Sequence, residues 1–470
     1  MRTLSGLDGL FLHLETPETP MHVASLSVLE LPKGYRGDFF EDVRRLYVRR
    51  LPMAPVLSRV LREMPLQFAN PVWVQADEID WGYHLRRVVL PKPGTQAQLE
   101  ACVAQLHAVP LDRKHPLWTV TLIEGLPQRR VAYYFNIHHA VLDGQASVEL
   151  AKLTFDLTPK PRRLARTQAV AAVGTSGEHP WPGALVAGAL RHDAEQYAKF
   201  AQLLPEITRT IATVRRAASA HASGESAAQG HMFAPRTPLN VAIGAARSFA
   251  GVSIPLAEVH HVATVHQATV NDVVLATCAG ALRRYLGRHG GVPDRALLAA
   301  IPISLREGPA TEFTTQATMA RVSLATDIAD PVRRLHAIRD STSEAKASMG
   351  RMKSILPTDF PTLGLPWLLH GLATLYGQSR IANFVPPLFN LVVSNFRGPP
   401  VPLYLAGARM LRYWPMSIVA HGLAANITVE SYAGSLEFGV ITASNAVRRP
   451  RQLSDGLVAA HAQLMNRSRR

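Results

Sequence analysis

A regular alternation of short apolar runs with amphipathic stretches constrains the fold of this chain more than any other feature. From Leu4 to about Asp156, runs typical of β-strands alternate with stretches typical of helices, and the alternation resumes from about Pro238 to the end. Alternation of this kind is typical of α/β domains. The predicted strands are His22–Leu31, Arg87–Leu90, Trp118–Ile123, Val131–Ile137, Leu297–Ile303, Leu391–Ser394, Ala425–Tyr432 and Leu436–Ile441, and the predicted helices are Asp38–Arg50, Gln96–Leu106, Asp272–Leu286 and Pro331–Ser348.

A change in composition divides the chain. Between about Pro159 and Arg236 the sequence becomes rich in Ala, Ser, Arg and Gly and is punctuated by prolines, which is typical of a connection between domains. We therefore predict an N-terminal half at 1–160, a connecting segment at 161–236 and a C-terminal half at 237–470. Apolar residues between Phe200 and Val214 recur at helical spacing, which fits a bridging helix or an amphipathic helix that docks on a membrane.

Length and charge narrow the class of protein. With 470 residues, 47% of them hydrophobic, the chain can bury a large core and is not a disordered tail. Its net charge of +15 favours anionic partners such as lipid headgroups, nucleotide phosphates or nucleic acid. The basic residues are dispersed and lack interleaved aromatics or a nucleic-acid motif, so we expect no nucleic-acid partner.

The sequence also predicts the compartment. Cys102 and Cys278 are its only two cysteines, too few for a disulfide framework or a Cys/His zinc cluster, and no Gly-rich phosphate loop follows a predicted strand. Asp8 and Glu15 interrupt the apolar N-terminal stretch, so it does not resemble a secretory signal. No apolar run reaches the ~18 residues of a membrane span. Leu363–Tyr376 fits a core helix or a contact with a bilayer surface, and we expect a cytoplasmic protein.

The segment from Asn136 to Gly144, directly after an apolar strand, carries the most chemistry. His138 and His139 are adjacent, so in an extended segment they point to opposite sides and only one faces a given site. Imidazole has a pKa near 6.5, which suits a general base that accepts and returns a proton at neutral pH. Two other interpretations stay open on spacing alone: histidines satisfied within the core, and a metal site formed by His139 and Asp143. The metal site lacks a third ligand at a recognisable spacing.

Read as HHxxxDG, this segment resembles the signature of the coenzyme-A-dependent acyltransferase superfamily. Further blocks, in the same order along the chain, resemble the bacterial wax ester synthase/diacylglycerol acyltransferase family. They are Leu7-Asp8, Pro20 to Val23, Pro116 to Trp118, Val270 to Ala276, Pro302 to Arg306 and Ser394 to Pro399. Phe396 and Arg397 stand where the family resemblance implies a smaller or proline-containing sequence before Gly398-Pro399.

The resemblance implies an α/β fold of two chloramphenicol-acetyltransferase-like domains, each a mixed sheet flanked by helices, with the active-site tunnel between them. It implies that His139 is the general base, that His138 is mainly structural and that Gly144 keeps the channel open. Asp143 would order the loop by an ion pair, with Arg59 or Arg306 as its partner. The implied reaction moves a fatty acyl group from acyl-CoA, a co-substrate, to a long-chain alcohol or to diacylglycerol, without a metal or cofactor.

Three further residues have two interpretations each. Asn271 opens a predicted helix and is either its N-cap or a residue that positions substrate. Ser394 and Asn395 end an apolar strand, where they either form a turn or donate hydrogen bonds to an oxyanion.

Because the substrates are insoluble in water, we expect peripheral association with the inner face of a membrane or with lipid inclusions. The competing functions are transfer to a different hydroxyl or amine on the same fold, and a non-catalytic basic protein that binds membrane or nucleic acid.

Overall fold

The structure is a computed structural model, and it describes most of both predicted halves. The described residues are 2–4, 6–63, 71–141, 150, 153–162, 205, 233–304, 317–352, 380–447 and 449–469. The predicted amphipathic stretch Phe200–Val214 and the apolar segment Leu363–Tyr376 lie outside these ranges, apart from residue 205.

The first sheet has six strands, which lie in the order β12 (Tyr404–Leu405), β13 (Ala408–Met416), β2 (His22–Glu30), β7 (Arg130–His138), β6 (Trp118–Glu124) and β5 (Leu85–Val89). Strands β2 and β7 are antiparallel with His22 opposite His138, β6 and β7 are antiparallel, and β5 is parallel to β6. The sheet is therefore mixed, as predicted. Its strands and the helices that accompany them are α1 Gly6–Leu14, β2 His22–Glu30, α2 Phe39–Arg50, α3 Trp81–His84, β5 Leu85–Val89, α4 Gln96–His107, β6 Trp118–Glu124 and β7 Arg130–His138. A small antiparallel sheet, in the order β1-β4-β3, is formed by β1 Arg2–Thr3, β3 Arg59–Arg62 and β4 Val72–Gln75.

The second sheet also has six strands, which lie in the order β10 (Ala317–Ser323), β9 (Leu298–Ser304), β11 (Leu391–Phe396), β14 (Ala425–Tyr432), β15 (Ser435–Ala443) and β8 (Arg247–Pro255). Helix α6 (Val270–Gly287) packs in the core of this half, and every residue from Asp272 to Leu282 is buried. Strand β11 runs parallel to β9 and β14, and the other pairs are antiparallel. The elements are β8 Arg247–Pro255, α5 Leu256–Val265, α6 Val270–Gly287, β9 Leu298–Ser304, β10 Ala317–Ser323, α7 Pro331–Met352, β11 Leu391–Phe396, β14 Ala425–Tyr432, β15 Ser435–Ala443 and α8 Arg451–Ser468.

Two strands that come late in the chain belong to the first sheet. β12 Tyr404–Leu405 and β13 Ala408–Met416 belong by sequence to the predicted C-terminal half, yet β13 pairs with β2 in the first sheet. Residues 404–416 therefore complete the first sheet, although they follow the second half's first strands in the chain. The local sequence of β13 shows no sign of the exchange, since its partner strand lies almost 400 residues earlier.

The two sheets face each other across a close contact. Gly439 in β15 lies against the backbone of Pro415, and Gly251 in β8 lies against the Trp414 ring. Glu100 in α4 accepts a hydrogen bond from Gly251 N–H at 3.1 Å and forms an ion pair with Arg451 at 2.7 Å. Glycine at positions 251 and 439 is what allows the crossing strand β13 to approach the second sheet so closely.

The α/β class is confirmed, and the predicted strands and helices recur with shifts of a few residues at their ends. Ala425–Tyr432 has the predicted bounds, and Gln96–Leu106 extends by one residue to His107. Strands β1, β3, β4, β8, β10, β12 and β13 were not predicted. Two of them carry glycine or proline inside the strand, which weakens the strand signal in sequence.

Candidate active site

The two adjacent histidines lie where β7 ends. His138 is the last residue of the strand and is fully buried. His139 begins a single 3₁₀ turn, His139–Val141, and is only partly buried. The change from strand to turn sends the two rings into different surroundings, as the sequence predicted from their adjacency.

Hydrogen bonding fixes the ring of His138. Its Nδ1 accepts a hydrogen bond from the Ala140 N–H at 3.0 Å, so the proton of the neutral ring resides on Nε2. That nitrogen lies 3.4 Å from Oε1 of Glu15. The Glu15 carboxylate therefore faces the Nε2 side of the His138 ring, without the geometry of a good hydrogen bond.

His139 has the position and protonation state of a general base. Its backbone N–H donates to the carbonyl of Met21 at 2.9 Å, and its ring stacks on Phe11 with centroids 4.0 Å apart. Burial, with a smaller contribution from the charge of His138, lowers the pKa of His139 to about 4. The imidazole is therefore neutral at pH 7 and able to accept a proton.

Glu15 is a site residue that the sequence analysis missed. It follows α1, is 6% exposed, and accepts hydrogen bonds from the Met21 N–H at 3.1 Å and from Arg113 Nη2 at 2.9 Å. Burial alone would raise its pKa, but the interactions with His138 and Arg113 outweigh burial and hold the pKa of Glu15 at about 2. The sequence offered one signal for this pair, because each residue lies just before a block that resembles the family. Glu15 precedes Pro20-Met21, and Arg113 precedes Pro116.

A second group of predicted residues lies at the start of α6 and the end of β11. Asn395 Nδ2 donates to Asn271 Oδ1 at 3.3 Å, so the structure brings these two together, and Ser394 is buried in the same strand. The N-cap interpretation of Asn271 is wrong. Thr269 caps the helix in a reciprocal capping box with Asp272, which leaves the Asn271 amide to Asn395.

A cavity of about 200 Å³ opens beside the face of the first sheet that carries His138. Thr119 and Asn136 are opposite each other in the β6–β7 pair, Thr121 faces Tyr134, and all four line the cavity. Asn136 is 2% exposed and its Oδ1 has no hydrogen-bond partner. Because side chains alternate along a strand, Asn136 and His138 share this face.

Several predicted residues cannot be placed in this site. Asp143, Gly144 and Arg306 lie outside the described residues. Arg59 begins β3 and is partly buried, but its pairing with Asp143 is untested and stays a prediction.

The part of the chain that the structure describes contains no cluster of three or more His, Cys, Asp or Glu suited to a metal ion. No helix there combines the length and apolarity needed to cross a bilayer. Cys278 is buried in α6, and burial raises the pKa of its thiol to about 12, so it is not a nucleophile at neutral pH.

Comparison with known proteins gives a consistent result. The family model described as the wax ester synthase/diacylglycerol acyltransferase catalytic domain matches residues 4–274, and the model of the C-terminal domain of that family matches residues 315–464. O-acyltransferase WSD of Acinetobacter baylyi is 32% identical over 461 residues, covering 96% of this chain and 94% of that protein. A Mycobacterium tuberculosis protein named as a candidate diacylglycerol O-acyltransferase is 35% identical over 447 residues, covering 94% of this chain and 95% of that protein.

Solved structures agree with these matches. The wax ester synthase/diacylglycerol acyltransferase of Marinobacter aquaeolei superposes with a TM-score of 0.72 and 28% identity, over 100% of both chains. A condensation domain of the calcium-dependent antibiotic synthetase superposes with a TM-score of 0.55 at 14% identity, covering 99% of this chain and 96% of that one, and it shows the fold alone.

Proposed function

The chain belongs to the wax ester synthase/diacylglycerol acyltransferase family, and we propose that it transfers a fatty acyl group from acyl-CoA to a long-chain alcohol or to diacylglycerol. The products are a wax ester or a triacylglycerol, with coenzyme A released in either case. The observation that carries the proposal is His139, a neutral and partly buried imidazole at the end of β7.

In the proposed mechanism, His139 removes the proton of the acceptor hydroxyl as its oxygen attacks the thioester carbonyl. The tetrahedral intermediate collapses by breaking the carbon–sulfur bond, and the departing thiolate takes the proton back from the imidazolium. The proton and the acyl group are both accounted for, so the reaction needs neither an acyl-enzyme nor a cofactor. The low pKa of His139 keeps the base unprotonated before the reaction.

Other predicted residues take supporting roles in this proposal. The Asn395 amide, held by Asn271, and the Ser394 hydroxyl are candidates to donate hydrogen bonds to the oxyanion. Asp143 and Gly144 keep in this proposal the roles that the family resemblance implies, an ion pair with an arginine for Asp143 and room for the acyl chain at Gly144.

We also propose that the protein works in the cytoplasm, bound peripherally to the inner face of a membrane or to a lipid inclusion. Support comes from the loop at 384–388, where Phe384 is 81% exposed, Val385 47% and Leu388 50%. Arg236 holds this loop by donating to the carbonyls of Asn383 and Val385, and Arg236 itself is exposed. Apolar side chains beside an exposed arginine suit an anionic lipid surface.

Flotation with anionic vesicles tests the lipid association. Burying a phenylalanine in an apolar phase stabilises binding by about 1.5–3 kcal/mol, so we expect Phe384→Ser to weaken it roughly tenfold or more. Val385→Ser should also weaken it, whereas Val458→Ser, on α8 with a similar exposure of 45%, should not. Equal binding of all variants would assign the association to another surface.

The reaction is tested with purified protein, palmitoyl-CoA and either hexadecanol or diacylglycerol, following thiol release and lipid product together. We expect both signals from the wild type and a loss of about 10²–10⁴-fold in His139→Ala with its melting temperature retained. Thiol release without ester, or turnover only with an amine acceptor, would reject the proposed acceptors. Near-normal turnover of folded His139→Ala would reject the base.

A further inference from the structure

The buried Glu15 carboxylate is contacted by several groups, from both sides. Oε1 accepts from the Met21 N–H at 3.1 Å and faces His138 Nε2 at 3.4 Å, while Oε2 accepts from Arg113 Nη2 at 2.9 Å and Nε at 3.3 Å. Arg113 also donates to the Leu12 carbonyl at 2.6 Å, which ties it to the end of α1. A buried carboxylate needs hydrogen-bond donors and a nearby cation, and Met21 and Arg113 supply them here.

Both histidines are connected to this carboxylate, by different routes. His138 faces it directly through Nε2. His139 is connected through Met21, whose N–H donates to Glu15 and whose carbonyl accepts from the His139 N–H at 2.9 Å. Phe11, from the helix that Glu15 follows, stacks on the His139 ring.

We propose that Glu15 is a positioning residue for the transfer reaction: it holds His138 with the proton on Nε2 and fixes the backbone from which His139 presents its ring. This inference rests on the proposed function, in which His139 is the base. Glu15 acts through the histidines and through Met21, and Arg113 anchors the carboxylate from its other side.

The charge of Glu15 gives this role a measurable signature. An anion beside the histidine pair stabilises the imidazolium that forms when His139 accepts the acceptor's proton. Replacing it with a neutral amide lowers the basicity of the pair, so the acid limb of the pH–rate profile moves to lower pH. A residue that only stabilised the fold would leave the profile where it is.

The test compares kcat, the KM for palmitoyl-CoA and the pH–rate profile in Glu15→Gln and in Arg113→Gln. Partners that orient a functional histidine typically contribute about 10–100-fold to activity. We therefore expect Glu15→Gln to lose kcat by about that factor while KM stays unchanged, the pattern of a lost transition-state interaction. Arg113→Gln leaves the carboxylate its contacts with Met21 and His138, so its kcat should fall much less.

Two further variants keep the test decisive. Glu15→Asp retains the charge and the arginine partner but shortens the side chain by one methylene, so its kcat should lie between those of the wild type and Glu15→Gln. In a His138→Asn background, Glu15→Gln should add little further loss, because the two residues act as one unit. Fully additive losses, an unmoved acid limb, or equal losses in Glu15→Gln and Arg113→Gln would overturn the positioning role.

His139→Ala, measured alongside, separates the two proposals. If it is inactive while Glu15→Gln turns over like the wild type, only the role of Glu15 is wrong. If folded His139→Ala is active, the general-base assignment itself is wrong.

Discussion

Lowering the pH from 7 to 5 should weaken the first sheet through His84, a buried histidine remote in sequence from the site. His84 ends α3, is fully buried, and its Nδ1 hydrogen-bonds the Trp118 carbonyl at 2.8 Å while its ring stacks on the Trp118 side chain. Burial lowers the pKa of His84 from 6.5 to about 4. Because the unfolded chain binds a proton near pH 6.5 and the folded chain does not, stability present above pH 6.5 is lost as the pH falls towards 4.

The magnitude follows from these two pKa values. Between pH 7 and pH 5, a histidine of pKa 6.5 in the unfolded chain and about 4 in the folded protein lowers the free energy of unfolding by about 2 kcal/mol. Glu437, fully buried in β15 opposite Glu430, provides a control of opposite sign. Burial raises its pKa from 4.5 to about 7, so its stability contribution is present at low pH and lost as the pH rises through 7.

Urea unfolding of the wild type, His84→Asn and Glu437→Gln at pH 7 and pH 5 measures both effects. Asparagine places its amide N–H near the position of Nδ1, so the bond to Trp118 is retained. We expect the loss of stability on acidification to be about 2 kcal/mol smaller than wild type in His84→Asn and about 2 kcal/mol larger in Glu437→Gln. Because the two contributions oppose each other, the wild type alone is uninformative. An unchanged pH dependence in both variants would show that neither group titrates abnormally.

Three other substitutions have definite expected outcomes. Gly439→Ala places a methyl group within 2.8 Å of the Pro415 carbonyl carbon and overlapping its oxygen, so β13 must shift and chemical unfolding should show a loss of about 1–3 kcal/mol. Asp156→Asn removes the carboxylate that pairs with Arg50 at 2.6 Å, with both side chains under 5% exposed, and an uncompensated buried arginine should lower the free energy of unfolding by about 3–5 kcal/mol. Asn395→Leu removes the proposed oxyanion donor, so kcat should fall by about 10²–10³-fold with the melting temperature retained; a rise in KM with kcat unchanged would point to a binding role instead.

Local patterns predicted many of the elements, but they did not predict which sheet each strand joins. The run that became β7 is apolar almost throughout, because both faces of this strand are buried. In β6 and β14 apolar residues alternate with polar ones, and these runs were recognised as strands from that alternation. Strand β13 carries arginines and a proline and pairs with β2 across a very long stretch of chain. The position of β13 in the first sheet also requires that Trp414 and Pro415 fit against two glycines of the second sheet. No short window of sequence contains that information.

The site shows the same limit in its chemistry. HHxxxDG identifies the strand end that bears His138 and His139, but residue type and spacing left a core role and a metal site open, and the general-base role came from the family resemblance. The role of Glu15, by contrast, was not recognised in the sequence. There, an acid inside an apolar stretch served only as evidence against a signal peptide. A buried carboxylate must have a cationic or hydrogen-bonding partner, so an acid in such a stretch predicts that a partner exists without identifying it. The partner is Arg113, 98 residues away beside Pro116-Leu117-Trp118, and the pairing ties two of the recognised blocks to one another and to the histidines.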